Sequence, residues 1–186
     1  AATATATITV SDVSVADGDL IAKVTLVNRT GHKFPSGVAF RRAFIEFNVI
    51  DADGSVLWSS GRTNSSGIIV DQNGKPIAGE LWWKDDCSTR IVPAARLHQP
   101  HYVVISRQDQ AQIYEELVSA PAHADVGKCG SGAEPQGELT TSFLSICSRV
   151  KDNRLLPKGF LSLDKRMQIA SALGAGARLA EEVAAV

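Results

Sequence analysis

Apolar and polar side chains alternate with a period near two in several short runs along this chain, and turn residues separate the runs. Thr5 to Val15 places Ile8, Val10, Val13 and Val15 at alternating positions and reads as a strand pair or one bent strand ending at Asp17-Gly18. Leu20 to Val27 continues with β-branched residues at the same period. The clearest strand is Ala43-Phe-Ile-Glu-Phe-Asn-Val-Ile50. Phe44, Glu46, Asn48 and Ile50 fall on one face; Ile45, Phe47 and Val49 fall on the other, the expected core face. Asp51-Ala-Asp-Gly54 is a turn that returns the chain into a strand at Ser55 to Trp58, so a hairpin is expected.

From Ser59 to Pro93 the pattern loosens, with Gly61, Gly67, Gly74 and Gly79 as punctuation. The DADG and DQNG sequences lack the spaced carboxylates and closing glutamate of an EF-hand, so they read as turns rather than calcium loops. Adjacent Trp82 and Trp83 point to opposite faces of any strand, so only one is readily core. Ala111 to Val118 reads as a strand, with a helical turn as the alternative, and Ser119 to Glu138 as an exposed loop. Thr140 or Thr141 can cap a short helix toward Val150. Residues 151–160 form a polar loop with a structural role. Leu163 to Val186 is alanine-rich, and Met167, Ile169, Leu173, Leu179 and Val183 suit an amphipathic helix. The pattern predicts a mainly β chain: an immunoglobulin-like β-sandwich over 8–162 with long loops, a leader or linker at 1–7 and a C-terminal helix at 163–186.

A hydrophobic content of 44% with 21% charged residues excludes disorder of the whole chain. A net charge of -1 gives no reason to expect nucleic acid or an anionic membrane as partner. No apolar run approaches the roughly 18 residues of a spanning helix. Cys87, Cys129 and Cys147 lie far apart without a C-x-x-C pair. They suit either one disulfide, with Cys129 and Cys147 the preferred pair, or three reduced thiols.

The chemistry concentrates in one link. Asn28-Arg-Thr-Gly-His-Lys-Phe-Pro-Ser-Gly37 leads on to Arg41, Arg42 and Phe44, longer than a plain hairpin needs. It carries His32 between Gly31 and Pro35 and brings two arginines close behind. An ordinary surface loop is the bland reading; presentation of His32 to a ligand is the sharp one. Leu97-His98-Gln-Pro-His101 adds an H-x-x-H pair, without the third ligand that a zinc site requires.

Three segments together carry a resemblance: Asn28 to Gly37 with Arg41-Arg42-Ala-Phe44, then Gln112-Ile-Tyr-Glu115, then Lys151-Asp-Asn-Arg-Leu-Leu-Pro-Lys-Gly-Phe160. In this order they resemble the β-sandwich region of secreted bacterial multihaem c-type cytochromes, over roughly residues 20 to 162. The chain departs from that family in having no C-x-x-C-H, so it has no covalent haem site of the usual kind. The resemblance implies a haem-free module or a piece of a larger protein, secreted to the periplasm or beyond. It further implies a partner chain or domain carrying haem c. His32 is then the first candidate to ligate a haem iron in trans, followed by His98 and His101, and Arg41 and Arg42 are candidates for haem propionates. The structural alternative for the arginines is to tie the link to Asp152 or Glu115.

The expected function is therefore a non-enzymatic electron-transfer-associated module that packs on or ligates haems of a multihaem cytochrome. One competing expectation is an extracellular binding or adhesion domain for glycan or protein, with Trp82 or Trp83 as platform. Another is a His-based metal-binding protein using His32, His98 and His101. No H-E-x-x-H, Ser-His-Asp spacing or G-x-S-x-G elbow points to an enzyme.

Overall fold

The computed structural model describes residues 4–37, 41–80, 98–121 and 136–160. The chain is mainly β and divides into two compact units, Ala1–Ser36 with Asn153–Val186, and Gly37–Asp152. Trp82 and Trp83, Cys87, Cys129 and the tail expected to be helical lie outside the described residues, so the Cys129–Cys147 pairing does too. Among the described residues no helix is long and apolar enough to cross a membrane.

The first unit is built on an antiparallel hairpin of β1 (Ala6–Ala16) and β2 (Asp19–Asn28). Asp17 and Gly18 both have positive φ, 53° and 90°, which gives the turn the twist of its flanking strands. β1 is one bent strand, and it starts inside the stretch read as a leader. Ser11 pairs with Lys23 but Ser14 with Ile21, so Asp12 and Val13 together oppose Ala22 in a bulge. The extra residue changes the phase of β1. Ile8 and Val10 before it and Val15 after it therefore face the same way, opposite Leu26, Val24 and Leu20. Beyond β2 the chain turns through residues 29–36 and meets the returning segment 153–160. Phe34 and Leu155 exchange backbone hydrogen bonds of 2.9 and 2.8 Å, and Lys158 N–H donates to Thr30 C=O at 2.8 Å.

In the second unit, the run expected as a single strand over 43–50 is two strands in two sheets. β3 (Arg42–Phe44) pairs with β6 (Ile113–Pro121), whereas β4 (Phe47–Ile50) pairs with β5 (Val56–Ser60). The break falls at Ile45 and Glu46, where Gly61 packs against the backbone. A Cβ on Gly61 would lie 2.1 Å from the Ile45 carbonyl oxygen, so only glycine permits this approach. Strands that change sheets at such bends make the corners of packed sheets. Alternation survives the break: Ile45, Phe47 and Val49 are half-buried, while Phe44, Glu46, Asn48 and Ile50 are exposed. Phe47 and Trp58 meet edge to face, with centroids 6.3 Å apart.

β6 is the most buried strand and carries the sheet. It pairs with β3, with β7 (Gln136–Thr140) and with β8 (Ser148–Asp152). Two expectations are corrected here. Ser119, expected at the start of an exposed loop, is fully buried within β6, and Gln136 to Glu138 belong to β7. The helix expected from Thr140 to Val150 is a single 3-10 turn, Phe143–Ser145, followed by β8. Neither Thr140 nor Thr141 is its N-cap; Ser142 is, and it makes no side-chain capping bond. The long buried edge of β6 satisfies the backbone of Ser148 to Asp152 better than a short uncapped helix can.

Ile69, Ile77, Ala111 and Ile113 form the core cluster, so the segment with the loosest pattern supplies half of it. Short turns make that possible. Asp51 Oδ1 accepts from the N–H groups of Asp53 and Ser55, Asn64 Oδ1 from Ser66 and Ile68, and Asp71 Oδ1 from Asn73 and Lys75. Each is an Asx turn closed by a glycine. DADG and DQNG are thus turns, as their sequence indicates.

Candidate functional site

Of the predicted residues, His32 belongs to the first unit, and Arg41, Arg42, His98 and His101 to the second.

The turn that carries His32 is braced from within by Asn28, which is 6% exposed at the end of β2. Its Nδ2 donates to the carbonyls of His32 (2.7 Å), Leu156 (3.0 Å) and Leu155 (3.3 Å). Its Oδ1 accepts from the Thr30 N–H at 2.9 Å and lies 2.8 Å from the Thr30 hydroxyl. One amide therefore holds both sides of the turn and the segment beside it. The His32 side chain is exposed, and its Nδ1 lies 3.0 Å from the Lys33 carbonyl oxygen and 3.3 Å from Thr30 Oγ1. A carbonyl only accepts, so Nδ1 carries the proton and the neutral ring keeps its lone pair on Nε2. No described residue engages that nitrogen.

His101 has the opposite tautomer. Gln112 Oε1 accepts the Tyr102 backbone N–H at 2.8 Å, which turns the Gln112 NH₂ toward His101 Nδ1 at 2.7 Å. Nδ1 is then the acceptor, and the proton resides on Nε2. The ring packs edge to face on Tyr114. Burial pushes the His101 pKa down, and the positive charge of Lys151 adds to the effect. Binding a metal through Nε2 would require the Gln112 amide to turn over and abandon the Tyr102 N–H.

The lowered pKa gives a pH prediction. The unfolded chain takes up this proton near the ordinary value of 6.5, whereas the folded chain takes it up only at lower pH. Below about 6.5 the unfolded state thus binds more protons, and stability falls with falling pH until the folded pKa is passed. His101→Gln, which cannot titrate, should show a shallower loss of melting temperature between pH 7 and pH 5. Parallel curves for the two proteins would mean that His101 titrates alike in both states.

Arg42 does not pair with Asp152 or Glu115, the partners considered from sequence; Glu80 holds it. Its two terminal nitrogens reach both Glu80 oxygens, Nη2 to Oε2 at 2.9 Å and Nη1 to Oε1. The Glu80 side chain is 2% exposed, and its Oε2 also accepts the Ile69 N–H at 2.8 Å. The hydrogen bond to Glu80 raises the Arg42 pKa, with a smaller contribution from the charge of Glu115. Glu115 is paired instead with Lys151, whose Nζ donates to Glu115 Oε1 (2.8 Å) and to the carbonyls of Gln99 (2.8 Å) and Ile113 (3.1 Å). Asp152 lies 3.8 Å from Arg149. Arg41 packs its guanidinium against Gly37, whose added Cβ would lie 3.2 Å from Nη1.

These groups surround an open cleft of roughly 200 Å³, lined by Arg41, Arg42, Glu80, His98, Gln99 and Glu115 among others. The cleft brings together three of the predicted residues, Arg41, Arg42 and His98; His101 is joined to the same network through Gln112 and Tyr102, and Tyr102 bonds Gln99 at 2.7 Å. Asn28, Glu80, Gln99 and Lys151 were not singled out from sequence as site residues, although Asn28 and Lys151 open two of the quoted motifs. Among the described residues, no three His, Cys, Asp or Glu side chains cluster so as to hold a metal ion by themselves. No protein-family model, curated protein or solved structure matches the chain.

Proposed function

We propose that this chain is a non-enzymatic module that offers His32 as an axial ligand to the iron of a haem c carried by a partner chain or domain. The observation that carries the reading is the state of the imidazole. Its Nδ1 donates to the Lys33 carbonyl, its Nε2 lone pair is unengaged by any described residue, and the turn behind it is braced by Asn28. Histidines that bind metals commonly hold their second ring nitrogen in this way, which fixes the tautomer and makes the ligand more basic. A braced turn also reduces the ordering cost of binding. The partner's haem would supply the electron transfer; the chain would supply a ligand of fixed orientation. In this reading the second unit is a structural body of immunoglobulin-like kind, Arg42 serves its own ion pair with Glu80, and residues 163–186 form a helix. The setting is periplasmic or extracellular.

The test uses a short haem c peptide with one open axial position as probe. Titrating it with the intact chain should convert its absorbance to that of a six-coordinate low-spin haem, and His32→Ala should weaken this at least tenfold. His98→Ala and His101→Ala should bind like the wild type. Equal binding by His32→Ala, or loss in either of the other variants instead, overturns the assignment.

A further inference from the structure

The hairpin of the first unit has one face that is apolar along its length. The register puts Ile8 opposite Leu26, Val10 opposite Val24 and Val15 opposite Leu20, and Ala22 completes the row on β2. The other face carries Thr7, Thr9, Ser11, Ser14, Lys23 and Thr25, with Ile21 and Val27 as its larger apolar members. Yet the apolar side chains are exposed: Val10 by 53%, Val15 by 74% and Leu20 by 49%. Among the described residues β1 and β2 make a two-stranded sheet of their own. Such a pair is marginal in water unless something covers its apolar side. The bulge at Asp12 and Val13 sharpens the point, because it keeps Val15 on the face that Ile8 and Val10 began.

We infer that residues 163–186 of the same chain cover this face as an amphipathic helix. Three observations select this occupant. The first is where the described chain leads: residues 155–158 are bonded to Asn28, Thr30 and Phe34 at the foot of the hairpin, so the tail starts beside the face. The second is length. Twenty-four residues make a helix of about 36 Å, and the 11 residues of β1 span about 37 Å. The third is composition: Ile169, Leu173, Leu179 and Val183 lie among many alanines, which let a helix approach a flat sheet closely, while Asp164, Lys165, Arg166, Arg178, Glu181 and Glu182 supply a polar side. This inference rests on the helical reading of the tail given above and is independent of any haem.

Methyl NMR of the full chain tests it. Nuclear Overhauser contacts are expected from the methyls of Val10, Val24 and Leu26 to those of Ile169, Leu173 or Leu179, within one molecule in a mixed-label sample. Val24→Asp should abolish them and raise amide exchange in 163–186 at least tenfold, whereas Thr25→Asp, on the opposite face, should change neither. Leu173→Asp, made in the tail, should have the same effect while leaving the β1–β2 amides protected. Contacts to a second copy, to residues 37–152, or to nothing overturn the inference. Backbone shifts in the same spectra report separately whether the tail is helical, so a helical tail without contacts overturns the docking alone.

Discussion

Lys151→Met is expected to lower stability by about 3–5 kcal/mol, the usual cost of removing one partner from a buried ion pair. The side chains of Lys151 and Glu115 are 8% and 11% exposed. Burial lowers the Lys151 pKa while Glu115 opposes the shift, so the ammonium is costly to hold in place and is retained by its three acceptors. Methionine fills the volume but leaves the Glu115 carboxylate without its closest cation and the Gln99 and Ile113 carbonyls without this donor. Arg42 offers little relief, because Glu80 already occupies its fork. The loss should be partly recovered in Lys151→Met with Glu115→Leu, since an apolar pair of similar volume leaves no charge buried alone. Urea unfolding of the two variants checks this. A single variant within 1 kcal/mol of wild type would show that water reaches Glu115.

This pair also shows what could be read before the structure was known. Glu115 and Lys151 both stand in segments singled out from the sequence, but nothing in either segment says that they meet. Their contact is a product of β6 and β8 lying side by side, and β8 was hidden because Phe143 to Val150 carries apolar residues at spacings compatible with a helix. Alternation over 43–50 did identify the more buried face. It could not reveal that Phe44 and Phe47 belong to different sheets, because that switch depends on the Gly61 backbone packing against Ile45, distant in sequence. Turn chemistry was the most legible layer, since an Asx turn is closed by atoms within four residues. The core was least legible where turns dominate: Ile69 and Ile77 are isolated apolar residues in a polar stretch, and only the bridges between turns bring them together.

Within the candidate site the residue types were readable and their partners were not. The glycines and proline around His32 suggest a constrained turn, but the constraint comes from Asn28, whose acceptors Leu155 and Leu156 lie 127 and 128 positions away. The arginine pair suggested anion binding. Arg42 instead spends its fork on Glu80, a residue in the stretch with the weakest pattern.

Asn28→Asp should cost roughly 2–4 kcal/mol, although it changes one side-chain atom group and no volume. The Nδ2 position faces three carbonyl oxygens, those of His32, Leu155 and Leu156. An aspartate oxygen there has no proton to donate, so three donated bonds become three close oxygen contacts in a buried place. The bonds from Thr30 to Oδ1 can persist, which separates this change from Asn28→Ala, where both sides of the turn lose their brace. If the turn exists to fix His32, the two variants should affect it in proportion. Both should weaken binding of the haem c peptide while His32 remains chemically intact, and acidification should partly rescue Asn28→Asp, because a protonated carboxyl regains one donor. Thermal melts and peptide titrations at pH 7 and pH 5 supply the measurement. If Asn28→Asp destabilises the fold yet binds the peptide as tightly as wild type, the brace belongs to the fold alone and His32 does not depend on it.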